Sequence, residues 1–514
     1  MRTSAKIALC LIAGVVVAAA IYFFLPALYD SLEQTHVAEP QAGYVGSGPQ
    51  GPAGEESNVT PLAAVALLVA AYLTWALPRR FAVCPLLVMA CLMPLGQQLI
   101  LFGLHFPLFR LLLLVGALRI ASRGEATGLK WTRLDSLFVC WVLVSLVFGT
   151  LSEPTPAHLV NRLGEAYNAA GTYFFVRCVV VDFEDIVIGV RTLAWMSLPI
   201  AALMLVEKTT AHNLLSVFGG VPEITGERDG HLRCQGAFAS AILAGTFGAT
   251  QVPLFACLWF YRPGDRLLGV AATVSAIVIA TTATSSGALL TMFVAIAGLA
   301  LWKARKCLRP LRWGGVVALL GLPLMMKAAP WQLMRILGSV FGGEGQYRAW
   351  LMDQAVSHFK EWWLFGTTYT AHWGGRVDVL AVDRNMVDIT SQYVAEGVNG
   401  GILKLGLFVL IIISCFKGLG RALRDKPTIS PSGFFVWGIG VSLLAHCFSF
   451  LSISYFDQII VVWFWLLASI SCLVATHYAK AISLPPAKPS EIPAADPAAL
   501  QVYSQRDVKE PVLS

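Results

Sequence analysis

Long apolar runs separated by short hydrophilic joints fill nearly the whole of this chain of 514 residues. That pattern leaves few folding options. A backbone surrounded by hydrocarbon must close its own hydrogen bonds, and runs of about 17 to 25 residues do so as helices. A transmembrane barrel needs shorter segments that alternate apolar and polar residues, and these are absent.

Charge agrees with this. Only 13% of the residues are charged, against about 25% in an ordinary soluble domain. The expected fold is all-α, a polytopic helical membrane protein with about twelve to fourteen transmembrane helices. Spans are expected near 7–28, 62–78, 81–96, 104–118, 135–151, 168–181, 187–206, 236–260, 267–283, 286–302, 313–327, 400–416, 433–451 and 457–476. The net charge of +7 does not point to nucleic acid, because the basic residues gather in the joints and there set orientation. Arg2/Lys6, Arg79/Arg80, Arg119/Arg123/Lys130/Arg133, Arg262/Arg266, Lys303 to Arg312 and Lys417 to Lys426 fall on one side. That side is read as the cytoplasm, with both termini in it. The acidic joint Asp182-Phe183-Glu184-Asp185 falls there too and fits poorly.

Four regions follow. Residues 1–29 form an N-terminal anchor, favoured over a cleaved signal peptide because the apolar core is long. Residues 30–61, nearly free of basic charge and rich in Gly and Pro, form a flexible external linker. Residues 62–480 form the polytopic domain. Residues 481–514 read as a disordered cytoplasmic tail.

One polar stretch, Lys327 to Asn399, interrupts the pattern and is expected to be a large external loop. Within it the apolar positions from Gln346 to Trp363 recur at helical spacing, which predicts an amphipathic helix along the bilayer surface. With the segment Glu207 to Arg233, this loop holds most of the residues suited to chemistry. The eleven cysteines show no CxxC or Cys/His spacing and read as small packing residues, so no metal or cofactor is expected. No phosphate loop, dinucleotide fingerprint, zinc-protease helix or nucleophile elbow occurs. Thr284-Ser285-Ser286-Gly287 lies in a tight joint, where close helix packing is the simpler role and substrate contact the sharper one.

The order of several short motifs resembles the O-antigen ligase and polymerase-like family of envelope glycan-assembly proteins. These are Phe174 to Arg177 before a short acidic joint, Val206-Glu207-Lys208-Thr209-Thr210 with Asn213, Arg233-Cys234-Gln235-Gly236-Ala237-Phe238 with Leu243 to Phe247, and Ser285-Ser286-Gly287. Arg348 with Leu364-Phe365-Gly366 follows, then Asp388 to Tyr393 with Gly397, Gly400 and Gly401. The resemblance implies metal-independent transfer from a polyprenyl-diphosphate-linked glycan at the periplasmic face of the bacterial inner membrane. Other polysaccharide assembly or export proteins would be partners. Such a donor needs fixed cations for its diphosphate, for which Arg233 and Arg348 come first and Arg335 and Arg376 second. A base for the acceptor hydroxyl would be Asp388, or else His372. Aspartate capping of the following helix is the structural alternative for Asp388. Where the family's ligases carry His-Asn this chain has Asp388-Ile389-Thr390, and Ser286 replaces the arginine of Ser-Arg-Gly, so polymerase and ligase fit equally. A lipid-linked sugar transporter or a non-catalytic export scaffold stays open as an alternative.

Overall fold

The computed structural model describes residues 59–94, 97–101, 104–228, 230–305, 314, 329–335, 345–374, 387–424 and 430–483. All of them belong to one compact unit. The expected span at 7–28, nearly all of the 30–61 linker, the span at 313–327, Arg376 and the tail from residue 484 lie outside the described residues.

Helix starts follow capping chemistry. In α1 (Pro61–Ala76) the Thr60 side chain accepts the Ala63 amide and Pro61 opens the first turn, where a missing N–H costs nothing. Helix α2 (Val83–Leu92) gives way to a hairpin of β1 (Gln98–Leu101) and β2 (Leu104–Pro107), and α3 (Leu108–Arg123) follows. The next three helices are α4 (Arg133–Ser152), α5 (Pro156–Val179) and α6 (Phe183–Thr210). Thr132 with Asp135 and Asp182 with Asp185 form capping boxes at the starts of α4 and α6. The acidic joint at 182–185 is therefore a helix start, where negative charge meets the positive end of the helix dipole.

A small hairpin of β3 (Glu227–Arg228) and β4 (His231–Leu232) precedes α7 (Ala241–Tyr261), α8 (Arg266–Thr282) and α9 (Ser286–Ala300). Then come α10 (Gly345–Ser357), α11 (Phe359–Trp362), α12 (Gln392–Val398), α13 (Gly401–Arg424), α14 (Pro431–Ser449) and α15 (Asp457–Ser483). Among the described residues, seven helical segments are long and apolar enough to cross a membrane, and α1 and α9 are shorter apolar helices. Leu68 and Tyr72 on α1 are 68% and 70% exposed and Leu267 on α8 is 83% exposed. Apolar surface of this kind suits lipid rather than water. The protein is an all-α helical membrane protein, and among the described residues its sheet is two short hairpins.

Helix α7 is the most enclosed, and small residues make that possible. A Cβ at Gly248 would run into the Ala276 carbonyl of α8, and one at Gly245 would lie 2.8 Å from Ala288 Cβ of α9. Backbones approach this closely only where side chains are absent, the usual packing device where no water drives helices together.

Two groups of joints collect at opposite helix ends. In the first, Arg119 is fully buried and donates to the Thr74 and Leu77 carbonyls at 2.6 and 2.7 Å while pairing with Glu125 at 2.7 Å. Arg79 donates to the Cys178 carbonyl at the end of α5. Arg177, an arginine inside an apolar run, pairs with Asp135 at 2.8 Å, and Tyr173 and Ser471 donate to the same carboxylate. Basic groups thus close the carbonyl ends of α1 and α5. Arg177→Met is expected to cost about 3 to 5 kcal/mol, because it leaves Asp135 buried without its cation. The check is the thermal unfolding midpoint in detergent, with partial recovery when Asp135→Asn is added.

Two expectations change. The helix expected at 81–96 ends at Leu92, before Pro94, and the start of the span at 104–118 is taken by β2, with α3 beginning only after Pro107. The helix expected over Gln346 to Trp363 divides at His358 into α10 and α11. Ala349, Leu351, Ala355 and Trp362 are buried there, while Val356, Phe359 and Trp363 stay exposed.

Candidate functional site

At the other helix ends, the last turn of α6 organises the segment that carries Arg233. The Glu207 carboxylate is 1% exposed and accepts the Gln235 and Gly236 amides at 3.0 and 2.9 Å and the Thr225 hydroxyl at 3.1 Å. Asn213 donates to the Gly236 carbonyl at 2.7 Å from the opposite side. Gly236 turns the chain at φ 57°, where a side chain would strain the backbone. Lys208 donates to the Leu232 carbonyl at 2.6 Å and to the Thr284 hydroxyl at 3.1 Å. The Arg233 amide donates to the Gly226 carbonyl, and the Cys234 amide to that of Thr282. The backbone on both sides of Arg233 is thereby fixed. Cys234 offers no competing nucleophile, because burial pushes its thiol up to about 12.

Arg348, half-buried on α10, reaches the same joint from the other direction. A Cβ placed on Gly287 would lie 3.5 Å from Arg348 Nη2 and 2.9 Å from Ser452 Oγ. The guanidinium thus stands beside the N-terminus of α9, and the missing side chain at Gly287 makes room for Ser452 rather than for Arg348. Ser285 occupies the N-cap position there and makes no side-chain cap bond. A helix start supplies amides without intrahelical acceptors and a partial positive charge. The Thr282–Gly287 joint therefore meets both arginine segments, one through the backbone flanking Arg233 and the other through the Arg348 guanidinium.

Asp388 is exposed beside this cluster, and its carbonyl accepts the Tyr347 hydroxyl at 2.7 Å. It does not cap the next helix. Ser391 holds the N-cap position of α12, and its hydroxyl instead donates to the Phe450 carbonyl at 3.1 Å. Gln392 receives the Tyr455 amide at 2.6 Å, which seats the end of the loop on the α14–α15 joint. The motifs around Gly366 and Gly401 also meet. The Thr367 amide bonds the Val398 carbonyl and the Ile402 amide the Trp363 carbonyl, each at 2.8 Å. Gly401, at φ 72°, would drive any Cβ into the Leu364 carbonyl.

The other expected site residues fall elsewhere. Arg335 is exposed in a short turn held to α10 by Trp331 and Gln332, which donate to Asp353 at 2.6 and 2.7 Å. His372 is exposed and lies 2.9 Å from Glu361. Metal-type donors gather there, with His358 as the third. Against slight desolvation, the bonds from Trp373 and His372 hold the Glu361 carboxyl below its usual range.

The chain matches no protein-family model and no curated protein sequence.

Sequence reading missed the α14–α15 joint. His446 is fully buried, with Nδ1 2.7 Å from the Tyr455 hydroxyl, which in turn lies 2.6 Å from Ser449 Oγ. Two residues on, Asp457 opens α15 at φ 50°, a left-handed conformation uncommon for a residue with a side chain. Among the described residues, no cation or hydrogen-bond donor holds its carboxylate. Gln458 donates to the Ala237 carbonyl, next to the Arg233 segment. The available signal was an acidic residue at the head of an apolar run. Together these groups offer fixed cations, a helix start and an unpaired carboxylate at one end of a lipid-facing bundle.

Proposed function

We propose that this protein transfers a glycan from a polyprenyl-diphosphate carrier to an acceptor hydroxyl, as a polysaccharide polymerase or ligase. The observation that carries the reading is the meeting of the Arg348 guanidinium and the Arg233 segment at the start of α9. In this reading the carrier's tail lies against the apolar helix flanks and its diphosphate lies between the arginines. As the bond from the sugar's anomeric carbon to the phosphate oxygen breaks, the departing diphosphate gains charge, which both guanidiniums and the helix start stabilise. The acceptor oxygen bonds to the same carbon and gives its proton to a carboxylate, Asp457 or Asp388. His372 is the weaker base in this scheme, since its ring is engaged by Glu361.

The same proposal sets the chain in the bacterial inner membrane as a multi-pass protein of about twelve to fourteen spans. The joint carrying Arg79 and Arg119 faces the cytoplasm, and the Arg233 end faces the periplasm. Residues 327–399 form the external loop, and both termini are cytoplasmic.

A second reading draws on a different observation. Glu396 and Lys404, 3% and 8% exposed, stand 3.5 Å apart, and Trp141, about two turns into α4, donates to Glu396 at 2.9 Å. Buried ion pairs at depth are common in transporters. Purified protein mixed with polyprenyl-diphosphate-linked oligosaccharide separates these readings. Transfer is expected to lengthen the glycan and release polyprenyl diphosphate. Movement of intact carrier across vesicles with no bond formed would favour transport, and neither outcome would favour a scaffold.

A further inference from the structure

We propose that His358, Glu361 and His372 bind a divalent transition-metal cation of the zinc type. The site stands apart from the arginine cluster and does not depend on the glycan reading. One donor atom from each residue lies within 4.8 Å of the others. Zinc bound at about 2.0 to 2.2 Å from each donor wants them roughly 3.4 Å apart. Small rotations of Glu361 and His372, whose side chains are each 38% exposed, close that gap.

The surroundings are arranged as a metal ligand set requires. His358 Nδ1 lies 3.0 Å from the Gln354 carbonyl, one turn earlier on α10. Donation of that N–H leaves the lone pair on Nε2, the tautomer a metal-binding imidazole needs, and a carbonyl is a usual partner for the other nitrogen. The Trp373 indole donates to Glu361 Oε2 at 3.0 Å, which orients the carboxylate. His358 stacks on Trp373 and His372 on Tyr369, with ring centroids 5.3 and 5.2 Å apart. Stacking thus restrains both ring planes before any ion arrives.

Donor chemistry selects the class of ion. Magnesium and calcium seek six or more oxygens, whereas two imidazoles and one carboxylate suit zinc and its neighbours and leave a position open to water. A bound ion would staple the end of α10 and α11 to the turn at Ala371–Gly374. It would thereby brace the helix that carries Arg348.

The test uses full-length protein without a histidine tag, stripped by chelator in detergent and equilibrated with Zn2+. Elemental analysis is expected to find one zinc per chain, and Co2+ is expected to give the absorption bands of a low-coordinate nitrogen and oxygen site. His372→Ala and Glu361→Gln should each weaken zinc binding about tenfold or more. His212→Ala, an exposed histidine beside Glu223 in another loop, should leave it unchanged. Because His358 packs on Trp373, the exposed His372 variant keeps the test valid if His358→Ala misfolds. Absence of zinc from the wild-type protein, or wild-type affinity in both ligand variants, would overturn the site.

Discussion

Arg348→Ala is expected to abolish glycan product while the protein reaches the membrane at wild-type abundance. The guanidinium stands at the start of α9, beside Gly287. Under the proposed function, its loss removes a charged donor from the place assigned to the departing diphosphate. Removing one preorganised donor of this kind costs on the order of 10² to 10³-fold in turnover, and a fully charged fork should sit at the upper end. Arg233→Ala should act alike, because Glu207, Asn213 and Lys208 hold its backbone without using its side chain. Arg348→Lys and Arg233→Lys keep charge but lose the bidentate fork, so intermediate rates are expected. Carrier consumption and product length, measured with protein abundance in the same membranes, decide the matter. Normal polymer from both alanine variants would remove the clamp from the mechanism.

Much of the helical frame can be read from the chain because it depends on local rules. Apolar length, the prolines at 61 and 156, and the Thr132 and Asp182 capping boxes all lie within a few residues of the ends they define. Those signals remain valid after folding. The strand at 104–107 was hidden because its apolar residues also read as the start of a helical span, and only Pro107 separates the two readings.

The site divides in the same way. Arg233 stands out as a cation at the edge of a polar loop and Arg348 as one in the first turn of a loop helix, and the joint at 282–287 links their segments in space. Glu207 could be singled out in sequence, but its service to Gly236 could not, since that bond joins residues 29 apart. Glu396 had the look of a loop residue, yet Trp141 and Lys404 enclose it, a pairing set by helix packing alone. His358, Glu361 and His372 match no metal spacing because a turn brings the last of them back to the helix. The α14–α15 joint was overlooked because Asp457 reads as the first residue of a span.

Asp457→Asn is expected to lower turnover on the order of 10² to 10⁴-fold, the range for loss of a positioned general base, with little change in carrier affinity. Three features single out this carboxylate over Asp388. It stands where the Tyr455 and Ala237 attachments meet, it has no partner among the described residues, and its backbone is held at φ 50°. A non-glycine residue held left-handed costs about 1 to 3 kcal/mol and persists only where the surroundings impose it. Asparagine tolerates that conformation, so Asp457→Asn should fold normally and report on the lost charge alone. Asp457→Gly removes strain as well as the carboxylate. It should unfold no more easily than the wild type and be equally inactive, whereas a purely structural aspartate would let the glycine variant retain activity. If Asp457 takes the acceptor's proton, the rise of kcat/KM with pH through its titration should vanish in the asparagine variant and survive in Asp388→Asn. A wild-type rate from Asp457→Asn, or an unchanged pH profile, would return the role of base to Asp388.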